Sequence, residues 1–246
     1  MVSSYAIIGA SRGIGLEFVV QLASKPTNSV FAVVRNGAIS VHLQEAIKKH
    51  GFSNVHVIEG DIGDYSSCQR AAKEVAEKTG GGLDCLIHNA MRPSPPVSFT
   101  DFLNIPDMTE FDADLTHAFQ INGLGTIHSI HAFLPLLRAS PTGAKKIAVI
   151  STEGGKYDVI RDMKIAAMPS YHLSKSVQVM AALKWSVLLA PECFTLAVLT
   201  PGLVDTSGTK GGLDAEGAAL AKAVEAMLAD IEGMTPEKNG QIISIR

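Results

Sequence analysis

Strand-like and helix-like segments alternate along nearly the whole chain. Short apolar runs, typical of strands that are buried on both faces, occur at 5–8, 30–34, 55–58, 83–87, 146–150, 194–199 and 241–245. Helical periodicity fills the intervening segments 41–49, 65–78, 106–137, 170–189 and 214–231. This alternation predicts a single α/β domain over residues 1–246, with a doubly wound parallel sheet of about seven strands and helices on both faces.

The composition excludes several classes of protein. The 246 residues are 46% hydrophobic and carry a net charge of −3, which gives no support for a nucleic-acid or anionic membrane partner. The most apolar stretch, 177–199, contains Lys184 and is not a membrane span. Cys68, Cys85 and Cys193 are odd in number and far apart, so we expect buried thiols in a reducing compartment and a cytoplasmic protein.

A glycine-rich turn follows the first strand and opens the first helix. Its glycines permit the turn, let a phosphate approach the backbone, and let the helix pack closely on the sheet. Free N–H groups and the positive end of the helix dipole then face an anion. This predicts a Rossmann dinucleotide site, with a turn that binds no ligand as the alternative. The predicted cofactor contacts in the turn are Gly9, Ser11, Arg12, Gly13, Ile14 and Gly15.

Tyr171 and Lys175 lie four residues apart at the start of a long predicted helix. Their side chains therefore share one face. A nearby ammonium group lowers the pKa of a phenol from about 10, so that the tyrosine can act as a general acid or base. By itself this spacing is a common accident on helices, and the prediction depends on the other motifs.

Four further motifs accompany the glycine turn and the Tyr171–Lys175 pair. In chain order they are Asn89-Ala90, Asn122, Ile150-Ser151-Thr152 and Pro201-Gly202. Together, and in this order, the motifs resemble the short-chain dehydrogenase/reductase family over essentially the whole chain. Within the family, residues 33–36 and the long loop before Tyr171 are similar to fungal ketoreductases of the norsolorinic acid ketoreductase kind.

The resemblance implies roles for five catalytic residues. Tyr171 is the proton donor or acceptor, and Lys175 contacts the nicotinamide ribose and keeps the tyrosine acidic. Asn122 lies on a proton relay from Lys175 to solvent. Thr152 orients the substrate carbonyl, because Thr152-Glu-Gly-Gly matches the family's Ser-x-x-Gly, and Ser151 is its competitor. Threonine keeps the hydroxyl but restricts χ1.

The resemblance also implies cofactor contacts beyond the glycine turn. These are Asp61, Ile62, Asn89, Ala90, Tyr171, Lys175, Pro201, Gly202, Val204 and Thr206. For Asp61, an N-cap of the following helix is an alternative role. Met91 replaces a small residue of the family pattern near the nicotinamide, with core packing as its alternative role.

The end of the second predicted strand favours NADP(H) over NAD(H). An NAD site places a carboxylate there for the ribose 2′-hydroxyl, whereas this chain has Val34 followed by Arg35. Arg12 lies in the glycine turn, close to the same corner. Two guanidinium groups suit a 2′-phosphate, although Arg35 is alternatively a solvated strand end.

Other features are assigned more briefly. The stretches 91–107 and 153–169 follow strand ends and are expected to form the walls of a pocket for a bulky hydrophobic substrate. His128 and His131 lack a third ligand, so no metal is expected. His172 is expected at the surface or in an interface, and Glu153 in solvent. Trp185 and Met180 are expected to pack, in this chain or against a partner subunit.

The sequence therefore predicts an NADPH-dependent carbonyl reductase of a bulky, hydrophobic small molecule, with secondary metabolism as a possible setting. An NADP-dependent alcohol dehydrogenase, a non-redox enzyme and a cofactor-binding scaffold are the alternatives. The helix at 170–189 is apolar on more than one face, so we expect a homodimer or homotetramer.

Overall fold

The computed structural model describes residues 3–92, 100–202, 204 and 215–245, with 215–218 described as backbone only. Its parallel sheet has seven strands in the order β3-β2-β1-β4-β5-β6-β7. The strands are β1 Ser4–Ile8, β2 Ser29–Val34, β3 Val55–Glu59, β4 Cys85–His88, β5 Lys146–Ile150, β6 Thr195–Thr200 and β7 Gln241–Ser244. The predicted fold class, a doubly wound parallel sheet, is confirmed.

Eight α-helices connect the described strands. They are α1 Gly13–Ala23, α2 Val41–His50, α3 Tyr65–Thr79, α4 Met108–Ala118, α5 Gly125–Arg138, α6 Tyr157–Asp162, α7 Pro169–Leu189 and α8 Ala215–Glu232. The predicted helical region 106–137 is divided by a π-helical turn, Phe119–Leu124, between α4 and α5. Sequence patterns missed α6 and the 3₁₀ turn Glu153–Gly155, which are too short for a clear helical period.

The two faces of the sheet bury separate cores. Ala6 and Ile8 of β1 pack into a core that includes Phe133 of α5, while Ile7 between them packs with Phe18 of α1 on the other face. Successive side chains of a strand point to opposite faces, so a strand covered on both sides is apolar throughout. Helices therefore cover both faces, as predicted.

The chain reverses its winding direction next to β1. This strand pairs with β2 on one side and with β4 on the other, and Ile8 lies opposite both Val33 and His88. In doubly wound sheets, ligands bind beyond the carboxyl ends of the strands at such a switch point. The residues that follow Ile8 and His88 are therefore placed to form a site.

The cysteines do not all behave as predicted. Cys68 and Cys85 are buried and free, but Cys193 is exposed. Cys193 follows the 3₁₀ turn Ala190–Glu192 with a φ of 60°, a turn conformation at the surface. The expectation of a buried thiol at this position is wrong. Among the described residues, no helix is long and apolar enough to cross a membrane.

Candidate active site

The glycine-rich turn is held tightly between α1 and β4. A Cβ on Gly15 would lie 2.1 Å from the carbonyl oxygen of Gly9, and one on Gly9, whose φ is +87°, would lie 2.6 Å from Cα of Ala90. The side-chain amide of Asn89 donates a hydrogen bond of 3.0 Å to the same Gly9 oxygen. Only glycine fits at these two positions, and Asn89 fixes the turn from β4.

The start of α1 forms a cradle for an anion. Arg12 is the N-cap residue, and its side chain makes no capping hydrogen bond. The next residue, Gly13, has a φ of +57°. The first N–H groups of a helix have no acceptor within the helix, and its dipole favours negative charge there. The residues of this turn therefore fit the pyrophosphate of a dinucleotide.

Two exposed arginines border the end of β2. Neither Arg12 nor Arg35 makes a hydrogen bond or ion pair with any described residue. A carboxylate that sequence analysis missed lies nearby: Glu59 of β3 is in register with Val34, and its Oε1 accepts the N–H of Gly37 at 2.9 Å. Only the strand register brings Glu59 to this corner, because it is distant from Arg35 in sequence.

Asp61 and Ile62 follow β3, as expected. Asp61 Oδ1 accepts the N–H of Gly63 at 2.9 Å, while Asp64 caps α3 by accepting the N–H of Ser66. The alternative role of Asp61 as the N-cap is therefore wrong. Ile62 is buried, and its carbonyl accepts from His128 Nδ1 at 3.1 Å.

The structure describes three of the four predicted cofactor contacts that follow β6. Pro201 and Gly202 follow β6, and Val204 packs beside the core that contains α1 and α8. Thr206 lies outside the described residues. Met91 is 41% exposed, so core packing does not explain it.

His128 and His131 serve structural contacts. His131 Nδ1 lies 2.6 Å from the hydroxyl of Tyr65. In the described ranges, no three His, Cys, Asp or Glu side chains are grouped so that they could hold a metal ion.

Tyr171 lies in the first turns of α7, with its ring largely buried. Burial raises the pKa of its phenol, and a hydrogen bond with the Thr152 side chain opposes that shift only in part. Pro169 begins the helix at a position where its missing N–H costs nothing. The Thr152 side chain thus lies close enough to the Tyr171 phenol to affect its ionisation.

Lys175 is 2% exposed, one turn after Tyr171. Its Nζ donates to Gln178 Oε1 at 2.9 Å and to the carbonyl of Ile150 at 3.4 Å. Burial lowers the pKa of Lys175 to about 7. Because the ammonium group points to these oxygens, the expectation that it lowers the pKa of Tyr171 is not met in this structure.

The neighbouring hydroxyl groups at the end of β5 differ in their surroundings. Thr152 Oγ1 accepts the N–H of Gly154 at 3.3 Å, and its side chain lies beside the Tyr171 phenol, whose pKa it lowers. The Ser151 side chain is buried, and its Oγ has no hydrogen-bond partner among the described residues. Of the two competitors, Thr152 is the one that the fold brings to Tyr171.

Asn122 lies within the π-helical turn and is 1% exposed. Its side-chain amide donates to Ser174 Oγ at 3.0 Å, and its Oδ1 accepts the N–H of Arg92 at 3.0 Å. In the described part of the chain, no hydrogen bond joins Asn122 to Lys175. The residue holds α7 and the segment after β4 together.

A buried ion pair beside Tyr171 was not predicted. Asp114 of α4 is buried, and its carboxylate pairs with the guanidinium of Arg92 and accepts the hydroxyl of Ser170. Arg92 Nε also donates to His117 Nδ1 at 3.1 Å. A buried charge needs such partners. The signal in the sequence is an aspartate at the apolar spacing of Phe111 and Ala118.

The expectation that Glu153 is solvated is wrong. Burial disfavours its charge, but hydrogen bonds from Lys156, Ser244 and Thr200 outweigh burial and hold its pKa below the ordinary value. The distances are 2.6 Å to Lys156 Nζ and 2.6 Å to Ser244 Oγ. Glu153 thus ties the loop after β5 to β6 and β7.

His172 is half-buried: it lines the cavity beside α7 and also packs within the chain. Its ring centroid lies 5.4 Å from that of Tyr171, and a Cβ on Gly154 would lie 2.4 Å from its ring. Burial lowers the pKa of His172, although its contact with the backbone of Ala167 opposes this.

The two long connections meet beside α7. Their described residues line a mostly apolar cavity of about 520 Å³, formed by residues 101–103, α6, residues 165–167 and the first two turns of α7. The lining residues include His172, the neighbour of Tyr171 in the chain, but neither Tyr171 nor Thr152.

The outer face of α7 is apolar and open. Met180, Val187 and Leu188 are 58%, 76% and 65% exposed, so the packing expected for Met180 within this chain is wrong. Trp185 does pack, against the core and the ring of His131. Phe119, Leu124 and Ile127 on the adjoining helical turns are also exposed.

The fold and the site define an oxidoreductase with a nicotinamide cofactor. The family described as "short chain dehydrogenase" matches residues 4–216. The short-chain dehydrogenase/reductase atnB of Arthrinium sp is 36% identical over 211 residues, which are 85% of this chain and 77% of that protein. The short-chain dehydrogenase/reductase AacuF of Aspergillus aculeatus is 34% identical over 219 residues, which are 87% of this chain and 79% of that protein. The chain belongs to the short-chain dehydrogenase/reductase family.

Solved structures agree with this assignment. The NADPH-bound carbonyl reductase from chicken fatty liver superposes with a TM-score of 0.80 at 25% identity, over 99% of this chain and 96% of that chain. Carbonyl reductase Sniffer of D. melanogaster also gives 0.80, at 24% identity, with the same shares of 99% and 96%. The latter likeness concerns the fold alone.

Proposed function

We propose that this chain is an NADPH-dependent carbonyl reductase that converts a ketone of a bulky, hydrophobic small molecule to an alcohol. The observation that carries the proposal is the placement of the Thr152 side chain beside the Tyr171 phenol, one turn before the buried Lys175. This group stands at the carboxyl edge of the sheet, where the glycine-rich turn also lies. The named relatives come from fungi, which is compatible with a role in secondary metabolism.

The chemistry divides between cofactor and protein. The nicotinamide supplies a hydride to the carbonyl carbon when it is bound. Thr152 donates a hydrogen bond that orients the carbonyl oxygen, and Tyr171 gives its proton to that oxygen. Lys175 would hold the ribose through its buried ammonium group. Residues of the glycine turn would hold the pyrophosphate.

The ionisation of Tyr171 favours reduction over oxidation. Burial raises the pKa of the phenol, so the side chain stays protonated at neutral pH. A proton donor to a ketone needs that state, whereas oxidation of an alcohol needs the phenolate. A protonated phenol is therefore compatible with the proposed direction of the reaction.

Two observations support NADP(H) as the cofactor. Arg12 and Arg35 are exposed and have no partner among the described residues. A 2′-phosphate accepts bidentate hydrogen bonds from such groups. The carboxylate of Glu59 comes from β3 and accepts the N–H of Gly37, whereas an NAD site places its carboxylate at the end of the second strand, where this chain has Val34.

The exposed apolar side chains of α7 and of the helical turns beside it support a homodimer or homotetramer. Met180, Val187 and Leu188 form one stripe, and a two-fold contact buries the same stripe on both copies. Sedimentation at micromolar protein concentration tests this. A monomer near 26.0 kDa would exclude the contact.

The experiment for the enzymatic proposal is a titration with NADPH followed by turnover of a panel of aromatic and aliphatic ketones. We expect a change of NADPH fluorescence on binding and consumption of NADPH with a bulky ketone. Tyr171→Phe should bind NADPH as the wild type does and lose turnover, because only the phenol proton is removed. Binding without turnover of any ketone or alcohol would favour the scaffold alternative.

A further inference from the structure

Five fully buried polar side chains form a continuous chain behind the catalytic residues. They come from three elements and are each at most 2% exposed: His88 of β4, Thr126 and Ser129 of α5, and Lys175 and Gln178 of α7. Four polar side chains besides a lysine are unusual in a core, since every buried polar atom needs a partner. The proposed reaction uses only Lys175.

Each link in this chain is a hydrogen bond of ordinary length. Lys175 Nζ donates to Gln178 Oε1 at 2.9 Å, and Gln178 Nε2 donates to Thr126 Oγ1 at 3.2 Å. Thr126 Oγ1 lies 2.9 Å from His88 Nε2, and His88 Nδ1 lies 2.8 Å from Ser129 Oγ. His88 is therefore linked to Lys175 through two side chains.

The hydroxyl proton of Thr126 determines the direction of these bonds. Thr126 Oγ1 lies 2.8 Å from the carbonyl oxygen of Asn122, which can only accept, so the single hydroxyl proton lies there. Thr126 must then accept from both Gln178 Nε2 and His88 Nε2. His88 therefore carries its proton on Nε2, which leaves Nδ1 to accept from Ser129 Oγ at 2.8 Å; that hydroxyl has the carbonyl oxygen of Thr126, at 3.2 Å, as its other acceptor.

We propose that His88 is a positioning residue for Lys175. Its Nε2–H fixes the hydroxyl of Thr126, and Thr126 in turn fixes the Gln178 amide with its oxygen toward the Lys175 ammonium. Fully satisfied buried networks hold one arrangement of their members. The consequence for catalysis, a correctly placed ammonium under the ribose, rests on the proposed function, whereas the hydrogen-bond chain does not.

The state of His88 agrees with this role. Burial, together with a smaller contribution from the charge of Lys175, lowers its pKa to about 3, so the imidazole is neutral at working pH. The other titratable groups near Lys175 are Tyr171, whose pKa is raised by burial, and Glu153, whose carboxylate is bound by Lys156. Neither group accepts a hydrogen bond from Lys175 Nζ. The pKa of Lys175 therefore reports on its hydrogen bond to Gln178 Oε1.

The experiment is an NMR titration of the free protein, which needs neither cofactor nor substrate. With ¹³C-lysine labelling, the Lys175 signal is assigned by its absence from Lys175→Met. In the wild type we expect a midpoint near 7, in line with the lowered pKa. His88→Leu should move the midpoint down by about one pH unit, because a loosened Gln178 oxygen stabilises the ammonium less.

Matched variants separate positioning from general damage to the fold. Thr126→Val should give the same shift as His88→Leu, and the double variant should add nothing further. His88→Gln keeps a donor toward Thr126 and should restore the wild-type midpoint. His56→Leu, the same substitution type on β3, should leave it unchanged. If His88→Leu does not fold, Thr126→Val and His88→Gln decide the test.

Three results would overturn the proposal. They are an unchanged midpoint in folded His88→Leu or Thr126→Val, shifts that add in the double variant, and ¹⁵N-histidine spectra that place the His88 proton on Nδ1. Absence of ketone turnover would count against the proposed function and would leave these NMR results standing.

Discussion

The glycine-rich turn and the catalytic centre lie at the same edge of the sheet but are built by different means. The turn consists of backbone in close contact: a Cβ on Gly15 would come within 2.5 Å of the Asn89 side chain. The catalytic centre depends on buried polar side chains, with Lys175 held by Gln178 at 2.9 Å. The turn requires residues without a Cβ atom, whereas the catalytic centre requires hydrogen bonds between its buried polar side chains.

This difference predicts how substitutions in each region affect the protein. Substitutions in the turn act through steric overlap, which does not depend on pH. Substitutions in the centre act through charge and proton position, so their effects change with pH and with the cofactor state. Three experiments examine this contrast.

The largest expected effect is at Thr152. Because the Thr152 side chain lies beside the Tyr171 phenol while the Ser151 hydroxyl has no partner in the described chain, Thr152→Ala should lower kcat by about 10² to 10⁴, and Ser151→Ala should not. Steady-state kinetics with one ketone measures both, and NADPH affinity serves as the control for folding. The opposite ranking would move the orienting role to Ser151.

A smaller effect is expected at the cofactor side, for Arg35→Asp. Loss of a charge-assisted hydrogen bond to the 2′-phosphate corresponds to about 1.5–3 kcal/mol, and the new carboxylate adds repulsion. The Kd for NADPH should therefore rise at least about tenfold, while that for NADH changes little. Arg138→Asp, an exposed arginine at the far end of α5, is the matched control. Equal losses for both cofactors would contradict the assignment.

The sequence predicted the turn better than the centre. Strand, glycines and helix are adjacent in the chain, so local spacing was sufficient for Gly9, Gly13 and Gly15. Asn89 needed the family resemblance, and Glu59 needed the parallel register with Val34. A contact made across strands leaves no periodic signal in either segment.

The shared helix face of Tyr171 and Lys175 was predictable, but their surroundings were not. Tyr171 and Lys175 share a helix face by spacing alone. The partners of Lys175 and the Arg92–Asp114 pair join segments that are distant in the chain, and only packing of α4, α5 and α7 decides which polar groups meet. For the same reason the pKa of Tyr171 was predicted with the wrong sign, since burial outweighs a lysine that points elsewhere.

The last prediction compares the two regions directly through stability. The pKa of Lys175 is lowered from 10.5 to about 7, so the unfolded chain binds more protons than the folded protein between these values. The free energy of unfolding therefore rises with pH across this window as far as this group is concerned. Below pH 7 the cost of burying the ammonium is fully present.

Lys175→Met removes that cost and leaves Gln178 Oε1 without its donor. The shift corresponds to about 5 kcal/mol and the unpaired oxygen to about 1–3 kcal/mol, so we expect the variant to be about 2 kcal/mol more stable than wild type at pH 6. Urea unfolding should show this gain shrinking as pH rises toward 10. Gly15→Ala should instead lose about 1–3 kcal/mol by overpacking, equally at every pH. Gly233→Ala, where a Cβ would lie 3.3 Å from its nearest neighbour, is the control for the glycine variant. A Lys175→Met difference that is constant with pH would show that the buried lysine is not the source of the pH dependence.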